Sequence, residues 1–484
     1  MVTALCFALA CEADLAQSDV GGSAAARRGA SEDDAARESS DRPPNVIFVV
    51  LDTLRADHLE LYGYPESTAP NLARVGEESA VFTQAFSSSS WTAPATASLF
   101  TGLYPTRHGV QMGFLAKLRR EAERESQTAI RVDQLPASVA TLPEHLKRQG
   151  YRTYGIATNI NIAAPIGFDR GFDRFLNLTN EPAEEVLKAL RSWRAEIQGD
   201  LPYFLYLHLD DVHKPYTRRA PWFVETGDPR ADAVAAYDSE LHYVDAVLAQ
   251  ILELFGFGPG VGSESNSERD SKPDSDRVLE PDKAGGILLI ASDHGEEFWD
   301  HGNDGHRFSL HYEVNRIVLM MSGPGIRPGL RTENVSGVDL LPTLLELIDA
   351  PVPERVDGRS LVPLLRGGEG ATALRADLAQ RALLAHRVNR HSADRQLWAV
   401  VRGPWRLIVT PEGNQLYDLR SDTEEVHDLS AREPDTVAAL RSELARFQRA
   451  TPVEAVAAAT VLLDPLGVQQ LRKLGYVEDE DDAR

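Results

Sequence analysis

Cysteine is nearly absent from this sequence: of 484 residues only Cys6 and Cys11 are cysteine, and none follows. The body of the chain therefore has no disulfide, no thiolate metal site and no cysteine nucleophile. Basic residues are also in short supply. Lys and Arg number 50 against 73 Asp and Glu, a net charge of −23. That argues against nucleic-acid binding, which needs a basic surface to displace counterions. No apolar run reaches the roughly 18 residues that a membrane-spanning helix needs, so no transmembrane helix is expected in the body. What is present, 43% apolar and 25% charged residues, is the balance of a globular chain. The length suits one large α/β domain with a smaller unit.

The first residues form a short apolar stretch ending Ala8-Leu9-Ala10-Cys11. A small residue before a cysteine suits lipoprotein processing, in which Cys11 carries a lipid anchor after export. That reading puts the protein at the cell envelope, periplasmic or extracellular. No basic segment precedes the apolar run, so a disordered leader with incidental cysteines is the alternative. Glu12 to Pro44 is rich in Ala, Ser, Gly, Asp and Arg and reads as a tether without a core. The expected organisation is a leader and tether over 1–43, a main domain over 44–370 and a small α+β unit over 371–484.

The body opens on Asn45-Val-Ile-Phe-Val-Val-Leu51, a β-branched run that suits a strand buried on both faces. Similar runs are Tyr151 to Thr158, Tyr203 to Leu209, Gly286 to Ala291 and Ile317 to Met321. Helical patterns lie between them, at Leu142 to Gln149 and Ala231 to Leu254. Strands alternating with helices predict an α/β fold: a large, mostly parallel sheet sandwiched by helices. Charge-dense Lys117 to Arg131 predicts a surface helix or loop, and Gly256 to Gly285 an exposed insertion. Short strands at Leu397 to Val401, Trp405 to Val409 and Gln415 to Leu419, then a helix from Pro434 to Ala450, predict the C-terminal α+β unit. Glu478 to Arg484 reads as a solvated tail.

In open parallel sheets, ligands bind at the carboxyl ends of the strands. The polar residues expected there are Asp52 after the first strand, His208, Asp211 and His213 at the end of the Tyr203 strand, and Asp293-His294 in Ser292-Asp-His-Gly-Glu296. Singly, such residues are more often caps or turn formers. Gathered at one edge, they call for a divalent cation. In Ser87-Ser-Ser-Ser-Trp-Thr92-Ala-Pro94, the proline fits a first helical turn and puts Thr92 at a helix entrance. There it is either an N-cap or a hydroxyl facing the cation.

From Asn45 nearly to its end, the chain resembles the sulfatase family of the alkaline-phosphatase superfamily. The resemblance rests on Asn45 to Asp52, Thr92-Ala-Pro94 through Thr101-Gly-Leu-Tyr-Pro-Thr-Arg-His-Gly109, and Gly167 to Asp173. It continues through Asp211-Val-His213-Lys-Pro-Tyr216, Ser292 to Glu296, Val338 to Glu346, Asp357 to Gly367 and Leu416 to Leu419. It implies an alkaline-phosphatase-like sheet domain, a metal held by Asp52, Thr92, Asp293 and His294, and Thr92 in the nucleophile's place.

Several positions depart from the family pattern. Sulfatases carry Cys or Ser where Thr92 stands, oxidised to formylglycine; threonine cannot give that aldehyde. Thr96 replaces the usual Arg, Ala157-Thr-Asn-Ile160 the usual Lys and His, Thr53 the second Asp, and His294 the usual Asn. A Thr nucleophile with Asp and Asp-His ligands resembles the phosphoglycerol and phosphoethanolamine transferase branches. Imidazole favours Zn²⁺ or Mn²⁺ over Ca²⁺.

The expected activity is metal-dependent hydrolysis of an anionic sulfate or phosphate ester, with Thr92 unmodified. His213 is the preferred general acid, His306 its rival, and Arg107 and Arg307 are nearby cations. A second ion on His213, His301 and His306 is the other reading of those histidines. The alternative functions are a phospho-alcohol transferase and a non-catalytic envelope protein that binds anions.

Overall fold

The computed structural model describes residues 42–114, 116–118, 128–257, 286–388, 396–450, 457–463, 468–469 and 477–479. The cysteines, the leader and nearly all of the tether and of the 256–285 segment lie outside them. Its centre is an eight-stranded sheet. In chain order the strands are β1 (Val46–Leu51), β2 (Ala80–Phe82), β3 (Arg152–Ala157), β4 (Arg174–Asn177), β5 (Tyr203–Leu209), β6 (Ile287–Ser292), β7 (Leu319–Ser322) and β8 (Gly329–Arg331). The spatial order is β8-β2-β7-β6-β1-β5-β3-β4. β1 pairs in parallel with both β5 and β6, and β3 in parallel with β5 and β4. β7 runs antiparallel to β6 and β2.

All of β1 is buried, so its two faces feed two cores. Val46, Phe48 and Val50 pack with Phe204 and Tyr206 of β5, the helix α1 (Thr92–Thr101) and the 340–347 helix. Ile47, Val49 and Leu51 pack with Leu205 and Leu207, the helix α2 (Ala183–Ile197) and the helix α3 (Pro229–Leu254). The expected helix near Leu142 spans Leu142–Arg148. Thr141 and Glu144 close its entrance as a reciprocal capping box, which satisfies backbone N–H groups the helix cannot.

A separate antiparallel sheet follows in the C-terminal part: β9 (Leu383–Arg387), β10 (Leu397–Arg402), β11 (Trp405–Thr410) and β12 (Gly413–Asp418). The helix α4 (Pro434–Ala450) sets Leu440 and Leu444 against it. The described ends of the charge-dense stretch are strands, where a helix or loop was expected. Ala116–Leu118 pairs with Val477–Asp479, and Thr128–Gln134 pairs with Ala457–Leu463. The expected tail therefore begins as a paired strand. Partners more than 300 residues away hold these strands, and no local pattern announces them. Among the described residues, no helix is long and apolar enough to cross a membrane.

Candidate active site

The parallel register builds the site. Leu51 of β1 lies opposite Leu209 of β5 and Ser292 of β6. The next residue of β1, Asp52, thus emerges beside Asp293, and its N–H reaches Leu209 O at 2.8 Å. Thr92 is the first residue of α1, whose ten residues are all buried. Its Oγ1 lies 3.3 Å from His294 Nε2. His294 Nε2 is also 3.7 Å from Asp52 Oδ1 and 3.5 Å from Asp293 Oδ2. Among the described residues, Asp52, Asp293 and His294 form the one group of His, Asp and Glu side chains whose ligand atoms converge, all within 4.8 Å.

The donor set fits a divalent cation. Asp52 Oδ1 and Asp293 Oδ2 are buried and lack a hydrogen-bond partner, a costly state that a cation removes. His294 Nδ1 lies 2.9 Å from Gly295 O, so Nδ1 carries the proton and Nε2 offers its lone pair. Burial and the charge of Asp52 push Asp293 up to about 6. Asp52 is held below the ordinary carboxylate range: burial opposes its charge, but the His208 hydrogen bond and the neighbouring histidines prevail. Gly295 turns the chain under Glu313; a Cβ there would sit 2.0 Å from Glu313 O, so no other residue fits.

Each carboxylate is tied through its other oxygen. Asp52 Oδ2 accepts from Asn159 Nδ2 at 2.6 Å and from His208 Nε2 at 3.1 Å. His208 Nδ1 is 2.9 Å from the Tyr206 hydroxyl. Asp293 Oδ1 accepts from His294 N at 2.8 Å and Thr53 N at 3.3 Å. Thr53, in the place of the family's second Asp, donates its hydroxyl to Val212 O at 2.9 Å. Sequence reasoning put His208 at the sheet edge without a role and missed Asn159. The available signal was alternation: Tyr206 and His208 fall on the same face as Val50 and Asp52.

Of the other expected residues, His213 and His306 stand beside the site. Their ring centroids are 4.8 Å apart, and His306 lies 4.6 Å from His294. His213 Nδ1 is hydrogen-bonded to Lys214 O at 2.5 Å, and His306 Nδ1 to Glu296 Oε1 at 2.9 Å. Burial takes His213 down to about 4, and burial with the nearby His294 and Arg307 charges takes His306 well below its usual value. The guanidinium of Arg307 lies 5.5 Å from the ring of Trp91, the residue before Thr92.

Three of the expected residues lie outside the convergent group. Arg107 is engaged elsewhere, 3.1 Å from Asp357 and over the ring of Phe447. His301 does not join His213 and His306; it bonds Glu313 at 2.9 Å and stacks on His311 with centroids 3.6 Å apart. Asp211 faces α2, where its Oδ1 accepts from Ala183 N at 3.1 Å.

A buried hydroxyl at a helix entrance thus faces convergent carboxylates and an imidazole at the edge of a sheet between helices, in an alkaline-phosphatase-like fold. The sulfatase family model matches residues 44–256, and the model of the N-sulphoglucosamine sulphohydrolase C-terminal region matches residues 300–450. Human arylsulfatase A is 28% identical over 366 residues, 67% of this chain and 68% of that protein. Choline-sulfatase of Rhizobium meliloti (strain 1021) is 24% identical over 450 residues, 80% and 82% of the two chains. In fold, a 2-O GAG sulfatase matches with a TM-score of 0.64 at 16% identity, over 86% of this chain and 95% of that one. The phosphonate monoester hydrolase of Agrobacterium radiobacter matches with a TM-score of 0.59 at 17% identity, over 84% and 96%. The likenesses to sulfatases in sequence and in fold indicate a sulfuric ester hydrolase.

Proposed function

We propose that the protein hydrolyses sulfate or phosphate esters with Thr92 as an unmodified nucleophile in a metal-dependent site. The observation that carries this is the approach of Thr92 Oγ1 to His294 Nε2 beside the partnerless oxygens of Asp52 and Asp293. Asp52 Oδ1, Thr92 Oγ1, Asp293 Oδ2 and His294 Nε2 would hold a divalent cation, whose charge would lower the hydroxyl pKa. Thr92 Oγ1 attacks sulfur or phosphorus in line, and the bond to the ester oxygen breaks as the threonyl ester forms. The first-turn N–H groups of α1 help to meet charge on the nonbridging oxygens. His213, with His306 as its rival, takes the Thr92 hydroxyl proton as Oγ1 attacks and passes it to the departing alcohol; it then takes a proton from the water that attacks the threonyl ester and returns it to Thr92 Oγ1.

The test is turnover with an aryl sulfate, a phosphate monoester, a phosphate diester and a phosphonate ester, followed by mass spectrometry of the quenched enzyme. An adduct on the peptide containing Thr92 is expected. Thr92→Ala should lose about two to four orders of magnitude in kcat with its fold intact. Near-native turnover in Thr92→Ala would move the nucleophile elsewhere.

A further inference from the structure

We propose that Asn159 and His208 are positioning residues that set which metal the site prefers, by restricting Asp52 to a single ligand oxygen. The proposal rests on the metal-dependent reading above and deepens it. Both residues are fully buried, and both spend their donors on the same atom, Asp52 Oδ2. A carboxylate oxygen only accepts, so His208 Nε2 carries the proton whatever the charge of the ring. The Tyr206 hydroxyl, at 2.9 Å from Nδ1, holds the imidazole in that orientation. With Oδ2 engaged twice, Asp52 has Oδ1 left to offer.

Asp293 is restricted in the same way, since Thr53 N and His294 N occupy its Oδ1. Thr53 brings no carboxylate where the family pattern has its second Asp, and its hydroxyl donates to Val212 O. The protein thus presents two carboxylate oxygens, one imidazole nitrogen and one hydroxyl. Ca²⁺ takes about six to eight oxygens and gains them from carboxylates that bind through both oxygens. A small set containing imidazole suits Mn²⁺ or Zn²⁺. On this account His208 and Asn159 exclude Ca²⁺ by denying it the second oxygen of Asp52. They act through Asp52 and do not touch substrate.

The test is calorimetric titration of chelator-stripped full-length protein with Mn²⁺ and, separately, with Ca²⁺. Wild type should bind Mn²⁺ at least about tenfold tighter than Ca²⁺. Asn159→Ala and His208→Ala should each weaken Mn²⁺ binding about 10- to 100-fold and weaken Ca²⁺ binding less, so that the preference narrows. His208→Gln returns an N–H donor to the same side and should recover much of the preference. If His208→Ala does not fold, Asn159→Ala decides, since it removes the other donor on the same oxygen. Equal Mn²⁺ and Ca²⁺ affinity in wild type, or an unchanged preference in a folded alanine variant, overturns the proposal. Unchanged preference in the variants leaves the metal-dependent reading standing; a wild-type protein that binds neither ion removes both.

Discussion

Thr92 and His294, 202 positions apart in sequence and both buried, meet at 3.3 Å between hydroxyl oxygen and imidazole nitrogen. Neither residue reaches that position by its own flexibility. α1 delivers the hydroxyl from a buried first turn, and the Gly295 turn delivers the ring from the end of β6.

Asp293→Asn should abolish metal-linked thermal stabilisation together with activity. The substitution keeps the size of the side chain but removes the charge and can turn an N–H toward the cation. Melting curves with and without added Mn²⁺ measure it: wild type should shift upward with metal, and the variant should not. A variant that still binds stoichiometric metal would take Asp293 out of the site.

Stability should fall as pH rises from about 6.5 to about 9, through His301. Burial opposes a charged ring there, but the hydrogen bond and charge of Glu313, with Glu425 beyond, lift its pKa to about 9. His311 stacks on it and pairs with Glu425, and Arg406 pairs with the same glutamate. A folded-state pKa above the unfolded value stabilises fully below about pH 6.5, and that contribution is lost as pH passes the folded value. In His301→Gln, the fall in melting temperature across this window should be smaller than in wild type.

Arg406→Met should destabilise by about 3–5 kcal/mol. Arg406 and Glu425 are fully buried and 2.6 Å apart, and the guanidinium also donates to Asn315 Oδ1 at 3.1 Å. Removing one partner leaves a buried charge without compensation. Chemical denaturation measures the loss, and Arg406→Met with Glu425→Gln should recover part of it.

Arg107→Met should cost stability of about 1 kcal/mol or less and leave the chemical step nearly unchanged. Its pairing with Asp357 is about a third exposed on the Arg side. A loss in kcat of several orders of magnitude would return Arg107 to the reaction.

The central strands and the site residues on them were legible because each is announced locally. β1 is a β-branched run ending in Asp, α1 opens on Thr92 with Pro94 behind it, and Asp293-His294 is followed by a glycine. What was not legible depends on register between distant segments. Asn159 reaches Asp52 across 107 positions and His208 across 156, and both are set by the pairing of β1 with β5 and of β5 with β3. The pairing of Arg107 was hidden for the same reason, because its counterion Asp357 is 250 residues further on. Charge density concealed the strands at Ala116–Leu118 and Thr128–Gln134, whose partners come from the far end of the chain.

Complete burial of α1 has an evolutionary consequence. A helix with no face in water has no room for a larger side chain without disturbing the core around it, so the positions flanking Thr92 have little freedom to grow. Exposed side chains such as Trp222 and Phe308 are free of that constraint, and a change there costs the fold little. Amide hydrogens of α1 should accordingly be among the last to exchange with solvent.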